Sequence, residues 1–148
     1  MNRLIRTLFI AAIACFALGG CALVLCLIDT DVSQQPRFAN VLARDLHTRK
    51  MLYLYQPEYG GSKKKRQSFE LRDSADRGRE NLVAVVPVGH PVRFTQVLRQ
   101  HAIEETWDDM FGQLTLNGKV FPVVLPLGGS IYPDEWRRIL VGCFGIRE

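Results

Sequence analysis

The stretch Gln113-Leu-Thr-Leu-Asn117-Gly118-Lys-Val-Phe121 decides the fold class. Two alternating segments flank Asn-Gly, a pair that tolerates the positive φ demanded at both centres of a two-residue hairpin turn. Val123 to Leu125 prolongs the second arm past Pro122, which has no N–H to give and so belongs at an edge or bulge. Upstream, Val92, Phe94, Gln96 and Leu98 share one face, opposite Arg93, Thr95, Val97 and Arg99. Leu82-Val-Ala-Val-Val86 is a continuous apolar run, short enough for a buried strand. Ser68-Phe-Glu-Leu-Arg72 alternates, and Met51-Leu-Tyr-Leu-Tyr55 is aliphatic and aromatic up to Gln56-Pro57.

Five or six such segments predict a mainly β domain, either a small antiparallel sheet or an open SH3-like barrel. Two helices accompany it. Phe38, Val41, Leu42 and Leu46 fall at helical spacing. A short C-terminal helix starts near Pro133, with Asp134 and Glu135 suited to its N-terminal dipole, Trp136, Ile139 and Leu140 on one face, and Gly142 as its stop.

The first 28 residues have a different character. Leu8 to Ile28 is 21 residues without a charge, preceded by Arg3 and Arg6 and closed by Asp29 and Asp31. As a helix it would span about 31 Å, the thickness of a hydrocarbon core. Residues 1–28 therefore read as a membrane anchor, 29–37 as a polar linker, and 38–148 as a β-rich domain. The basic residues ahead of the span place that domain on the extracytoplasmic side of a bacterial inner membrane. Leu18-Gly19-Gly20-Cys21 also resembles a bacterial lipobox, which makes Cys21 the lipidation candidate and allows an outer-membrane location. Against a cut there stands Ala22 to Ile28, seven further apolar residues where a polar tether belongs. A third reading cuts after Ala22 and releases the domain.

Cys15, Cys21 and Cys26 lie in the anchor, so Cys143 has no partner for a disulfide inside the domain and reads as a small buried apolar residue. Without Arg3 and Arg6, 17 basic residues face 15 acidic ones. That near-balance argues against a nucleic-acid partner, which calls for a strongly basic stripe.

No residue pattern commits to catalysis or to a cofactor. His47, His90 and His101 lack the i, i+4 spacing of a metalloprotease helix, and His90 sits in the turn-forming Val88-Gly89-His90-Pro91. Glu104, Glu105, Asp108 and Asp109 surround Trp107 without the alternation or glycine of a calcium loop, and read as a solvated loop between strands. Trp107 is a contact candidate, because Trp is enriched at binding hot spots. Lys63, Lys64, Lys65 and Arg66 follow Gly60-Gly61-Ser62, a flexible loop whose four charges suit anionic headgroups or an acidic envelope polymer. Gly128-Gly129-Ser130 before the last helix is a weak anion cradle. The expectation is a membrane-anchored, non-enzymatic binding or assembly domain that engages another envelope protein or an anionic envelope component. An immunity-type or inhibitor protein at the membrane comes second, and a small envelope enzyme third.

Overall fold

The computed structural model describes residues 29–56, 63–75, 81–101, 105–129 and 134–146. The proposed span, Cys21 and the Gly60-Gly61-Ser62 segment lie outside them. Among the described residues no helix is long and apolar enough to cross a membrane.

The described chain is mainly β. Strands β1 (Thr30–Asp31), β2 (Leu46–His47), β3 (Leu52–Tyr55), β4 (Phe69–Arg72), β5 (Leu82–Val86), β6 (Pro91–His101), β7 (Thr106–Leu116) and β8 (Lys119–Gly129) form one sheet. Helices α1 (Pro36–Leu42), α2 (Lys63–Arg66) and α3 (Glu135–Phe144) complete it. The path runs β1-β6-β7-β8-β4-β3-β5, with β2 also on β6. The sheet is mixed rather than purely antiparallel, because β4 lies parallel to β8 through Phe69↔Val123 and Glu70↔Val124.

The hairpin β7–β8 forms as the Asn-Gly signal predicts: Asn117 has φ 52° and Gly118 φ 77°. Pro122 opposes Gln113 one residue before β4 begins to pair with β8, where its missing N–H costs no ladder bond to β4. β2 and β3 keep a single register along β6 and β5, since Leu46↔Val92 and Leu52↔Val86 are six residues apart on both sides. Thr48, buried at the interruption, joins the two halves. Its N–H donates to His90 O (3.0 Å), its hydroxyl donates to Pro87 O (2.6 Å), and its oxygens accept the N–H groups of Gly89 and His90.

One face of the sheet carries the main core, with Leu52, Leu54, Leu71, Val92, Phe94, Val97, Met110, Leu114, Val123 and Leu125 among its members. α1 adds Phe38 and Val41, and α3 adds Leu140, Cys143 and Phe144. Phe38 meets Trp136 edge-on at 5.8 Å and Phe94 meets Phe144 at 5.6 Å. The opposite face holds a smaller buried cluster of Leu98, Phe111 and Val124.

Four further expectations change. The linker 29–37 belongs to the domain: Thr30 pairs with Arg99, Val32 is buried, and α1 begins at Pro36. The simple alternation of β6 breaks at a register shift between Phe94 and Gln96, which turns Val97 into the main core and Leu98 to the other face. α3 runs through Gly142 and stops at Gly145, whose positive φ of 65° and N–H to Val141 O form the C-cap. Finally, β5 is not buried. Leu82, Val83 and Val85 are each almost half exposed, and β5 ends the sheet path with β3 as its strand neighbour.

Candidate functional site

Two stretches that look unrelated in sequence come together on the second face of the sheet. The basic run Lys63–Arg66 is one helical turn, not a loop. It lies over β6 and β7, which bring up the acids beside Trp107. Lys65 Nζ donates to Asp109 Oδ2 at 3.0 Å and Oδ1 at 3.3 Å, and Gln100 Nε2 donates to Oδ2 at 2.5 Å. Lys64 Nζ donates to Gln96 Oε1 and lies 4.9 Å from the Phe111 ring centre. Gln96 Nε2 in turn donates to Asp31 Oδ2 at 2.6 Å. The turn is thus tied to the first strand of the domain through two side chains. Arg66 is exposed; the Lys63 side chain lies outside the described set.

Asp108 and Asp109 do not lie in a solvated loop; Glu105 precedes the strand and Glu104 is outside the described residues. Thr106 to Leu116 is strand, Asp109 is 0% exposed and Asp108 is 8% exposed. Asp108 accepts Arg99 Nε (2.8 Å) and NH2 (3.0 Å) from β6, and Arg37 NH2 (3.1 Å) from α1. Burial pushes the Asp109 carboxyl above its ordinary range; the Lys65 ammonium pulls it back, and the charges of Glu70 and Asp29 push it up again. Asp31 shows the opposite shift, lowered by hydrogen bonds from the Ser33 and Gln96 side chains and the Ser33 backbone. The chemistry of this cluster is that of a clamp. Each carboxylate is matched by cations or amide donors, and no described side-chain polar atom is buried without a hydrogen bond.

The remaining candidates stay apart. His90 immediately precedes β6 and His101 closes it, about 36 Å apart at the usual strand rise. His90 is held in its turn by the Thr48 hydroxyl and contacts Thr115 O at 2.7 Å, while His101 contacts the Thr30 hydroxyl at 3.1 Å. His47 is exposed on β2. Trp107 is half-buried in β7, opposite Gln100 and Gly129. At the suggested anion cradle, the carboxylates of Glu135 and Glu105 lie over Gly128 and Gly129, a surrounding that repels anions; Ser130 is outside the described residues. Cys143 is buried and its thiol is raised by that burial. Among the described residues no three His, Cys, Asp or Glu side chains gather as metal ligands.

What the residue patterns missed is an apolar edge. Met51, Leu82, Val83, Val85 and Val88, on β5 or beside its ends, are 44–60% exposed and are five of the seven large apolar side chains exposed among the described residues; the other two are Val120 on β8 and Val141 on α3. Met51, Val85 and Val88, with Ala84, Pro87, Leu116 and Asn117, line an open notch of about 540 Å³ between β5 and the tip of the β7–β8 hairpin. The run Leu82–Val86 carried the only signal, and it is the same signal a strand buried on both faces would give.

Comparison of the chain with protein-family models, with curated proteins and with solved structures found no match.

Proposed function

We propose that this chain is a membrane-tethered, extracytoplasmic domain that works by binding rather than catalysis. Its strands are best read as a partly closed, SH3-like barrel, supported by the single register in which β2–β3 runs along β6–β5. The observation that carries the binding reading is the concentration of exposed apolar side chains around β5. Scattered surface apolar residues are normal, whereas a contiguous patch on an unpaired strand edge marks a contact surface. The ionic cluster supports the same reading from the other side: its charged groups are spent on holding α2 and α1 to the sheet.

The test is capture from the native envelope with the tagged, detergent-extracted full chain, beside a Val85→Lys chain. Binding through the β5 patch predicts a specific envelope component retained by the first and lost by the second. Equal recovery with both would remove the patch from the function.

A further inference from the structure

α2 cannot hold its shape alone. It is a single turn, far below the length at which an isolated helix is stable in water. The bonds that close it are local: Gln67 N–H to Lys64 O (3.2 Å), Ser68 N–H to Lys65 O (3.1 Å) and the Ser68 hydroxyl to Lys64 O (3.0 Å). Its grip on the sheet comes through Lys64, which lies over the Phe111 ring and bonds Gln96, and through Lys65 on Asp109. We infer that the Lys65–Asp109 pair is a proton-operated latch: when Asp109 takes up a proton, α2 lets go of the sheet and uncovers the Phe111 side chain beneath it. The latch is independent of the β5 patch.

Asp109 is placed to change its charge. Its side chain is fully buried, and burial favours the neutral acid. The groups that face it come from several elements. α2 brings the Lys65 ammonium, 3.0 Å from Oδ2. β6 brings the Gln100 amide at 2.5 Å and sets Leu98 across from it, while β8 sets Pro126 across from it on the other side. The carboxylates of Glu70 on β4 and of Asp29 in the N-terminal segment act on it through their charge. Glu70 is itself paired with Arg72 Nε at 2.7 Å, and Asp108, next on the strand, is engaged by Arg99 and Arg37. Among these groups Lys65 is the charge that favours ionised Asp109; Glu70 and Asp29 oppose it.

The direction of the response follows from linkage. With α2 seated, the Lys65 ammonium lowers the affinity of the carboxyl for a proton. With α2 released, that restraint is gone while burial between β6 and β8, Glu70 and Asp29 remain, so the released state binds the proton more tightly. Falling pH therefore favours release. The proton has a short way in, because the Lys65 side chain is 23% exposed and water reaches the pair from the α2 side. Release also turns the Lys64 and Lys65 ammonium groups to solvent.

The experiment is amide hydrogen exchange, read by mass spectrometry on the full-length chain in neutral detergent and corrected for the intrinsic pH dependence of exchange. Between pH 7.5 and 4.5 the wild-type segment 64–69 loses about tenfold in protection, the equivalent of one pKa unit of coupling, while the hairpin segment 110–121 keeps its own. Asp109→Asn is neutral at every pH, and Lys65→Met keeps the stem without the charge. Both show the weakly protected turn already at pH 7.5 and no further change on acidification. His101→Gln, which removes the histidine beside Thr30, keeps the wild-type response. Wild-type protection of α2 that does not fall, or that falls only together with the hairpin, overturns the latch. So does a pH response that survives Asp109→Asn or vanishes with His101→Gln, since another group then carries the proton. If Asp109→Asn or Lys65→Met loses hairpin protection and so fails to fold, the wild-type and His101→Gln comparisons decide alone.

Discussion

Two glycines show how differently single residues declare themselves. Gly118 is announced by its Asn neighbour and by the alternation on either side, and it takes the positive φ that this signal implies. Gly112 carries no such signal. It lies opposite Phe94 at the β6 irregularity, where a Cβ would overlap the Arg93 carbonyl oxygen and come within 2.7 Å of Phe94 Cα. Gly118→Ala, with open space around its Cβ, should cost about 1 kcal/mol from backbone strain alone. Gly112→Ala should cost more, about 2–3 kcal/mol, because backbone must move. Urea unfolding of a 29–148 fragment, whose described core lies wholly within it, measures both; a smaller cost at Gly112 would contradict the close packing. Asp109 is a second residue whose role no local pattern discloses. Its native carboxyl holds its proton at pH values where the unfolded chain, near the ordinary 3.8, has released it. The folded state therefore binds more protons across that window, and stability rises as pH falls through it. Asp109→Asn removes this titration. Wild type should gain stability relative to the variant as pH is lowered from 7 toward 4, and the opposite trend in urea midpoints would show that the Lys65 pair outweighs burial.

At the scale of elements, α2 and β5 reverse their expected roles. Four consecutive cations suggest a solvated loop, yet α2 is a clamp: Lys65 is committed to Asp109 and Lys64 to Gln96. The clamp also sets where the remaining charge points, because Gln96 links Lys64 to Asp31, beside the entry of the N-terminal segment. Anionic vesicles should therefore bind the 29–148 fragment weakly and in a salt-sensitive way, mainly through the exposed Arg66 and the Lys64 head. Lys64→Ser with Arg66→Ser should remove that binding and keep the fold. Lys65→Ser, by contrast, strips the cation from a fully buried carboxylate and should lower the unfolding midpoint. Cosedimentation at low and high salt checks the first claim and thermal unfolding the second. Equal partition onto neutral and anionic vesicles would reduce α2 to its clamping role. β5 went unread for the converse reason. An apolar pentapeptide is equally suited to the middle of a sheet and to an edge that a partner covers, and only its neighbours distinguish the two.

For the molecule as a whole, the ends of β6 give the layout. Arg99 pairs with Thr30 where the N-terminal segment enters, and Pro91 adjoins the turn from β5, about 26 Å away at the usual strand rise. On the proposed tether at residue 29, the domain would carry its apolar edge away from the attachment point and its basic turn near it. Whether that tether is a membrane span or a lipid is decided by Cys21→Ser. A membrane-spanning anchor predicts a full-length, membrane-bound chain that takes up no metabolic palmitate with either residue at position 21. Accumulation of uncut precursor together with loss of palmitate label would establish the lipid anchor instead. Sequence by itself determined the features governed by neighbours a few residues apart: the Asn117-Gly118 hairpin, the strand character of segments from Leu52 to Val86, the onset of the last helix and the burial of Cys143. These follow from backbone sterics and side-chain periodicity, which act over two to four residues. The parallel β4–β8 pairing, the shift that exchanges Val97 and Leu98 between faces, the Lys65–Asp109 clamp across 44 residues and the exposure of β5 were decided only by the tertiary structure. Each depends on which strand lies alongside which, and an edge strand and a central strand of the same composition become different only once the last neighbour is in place.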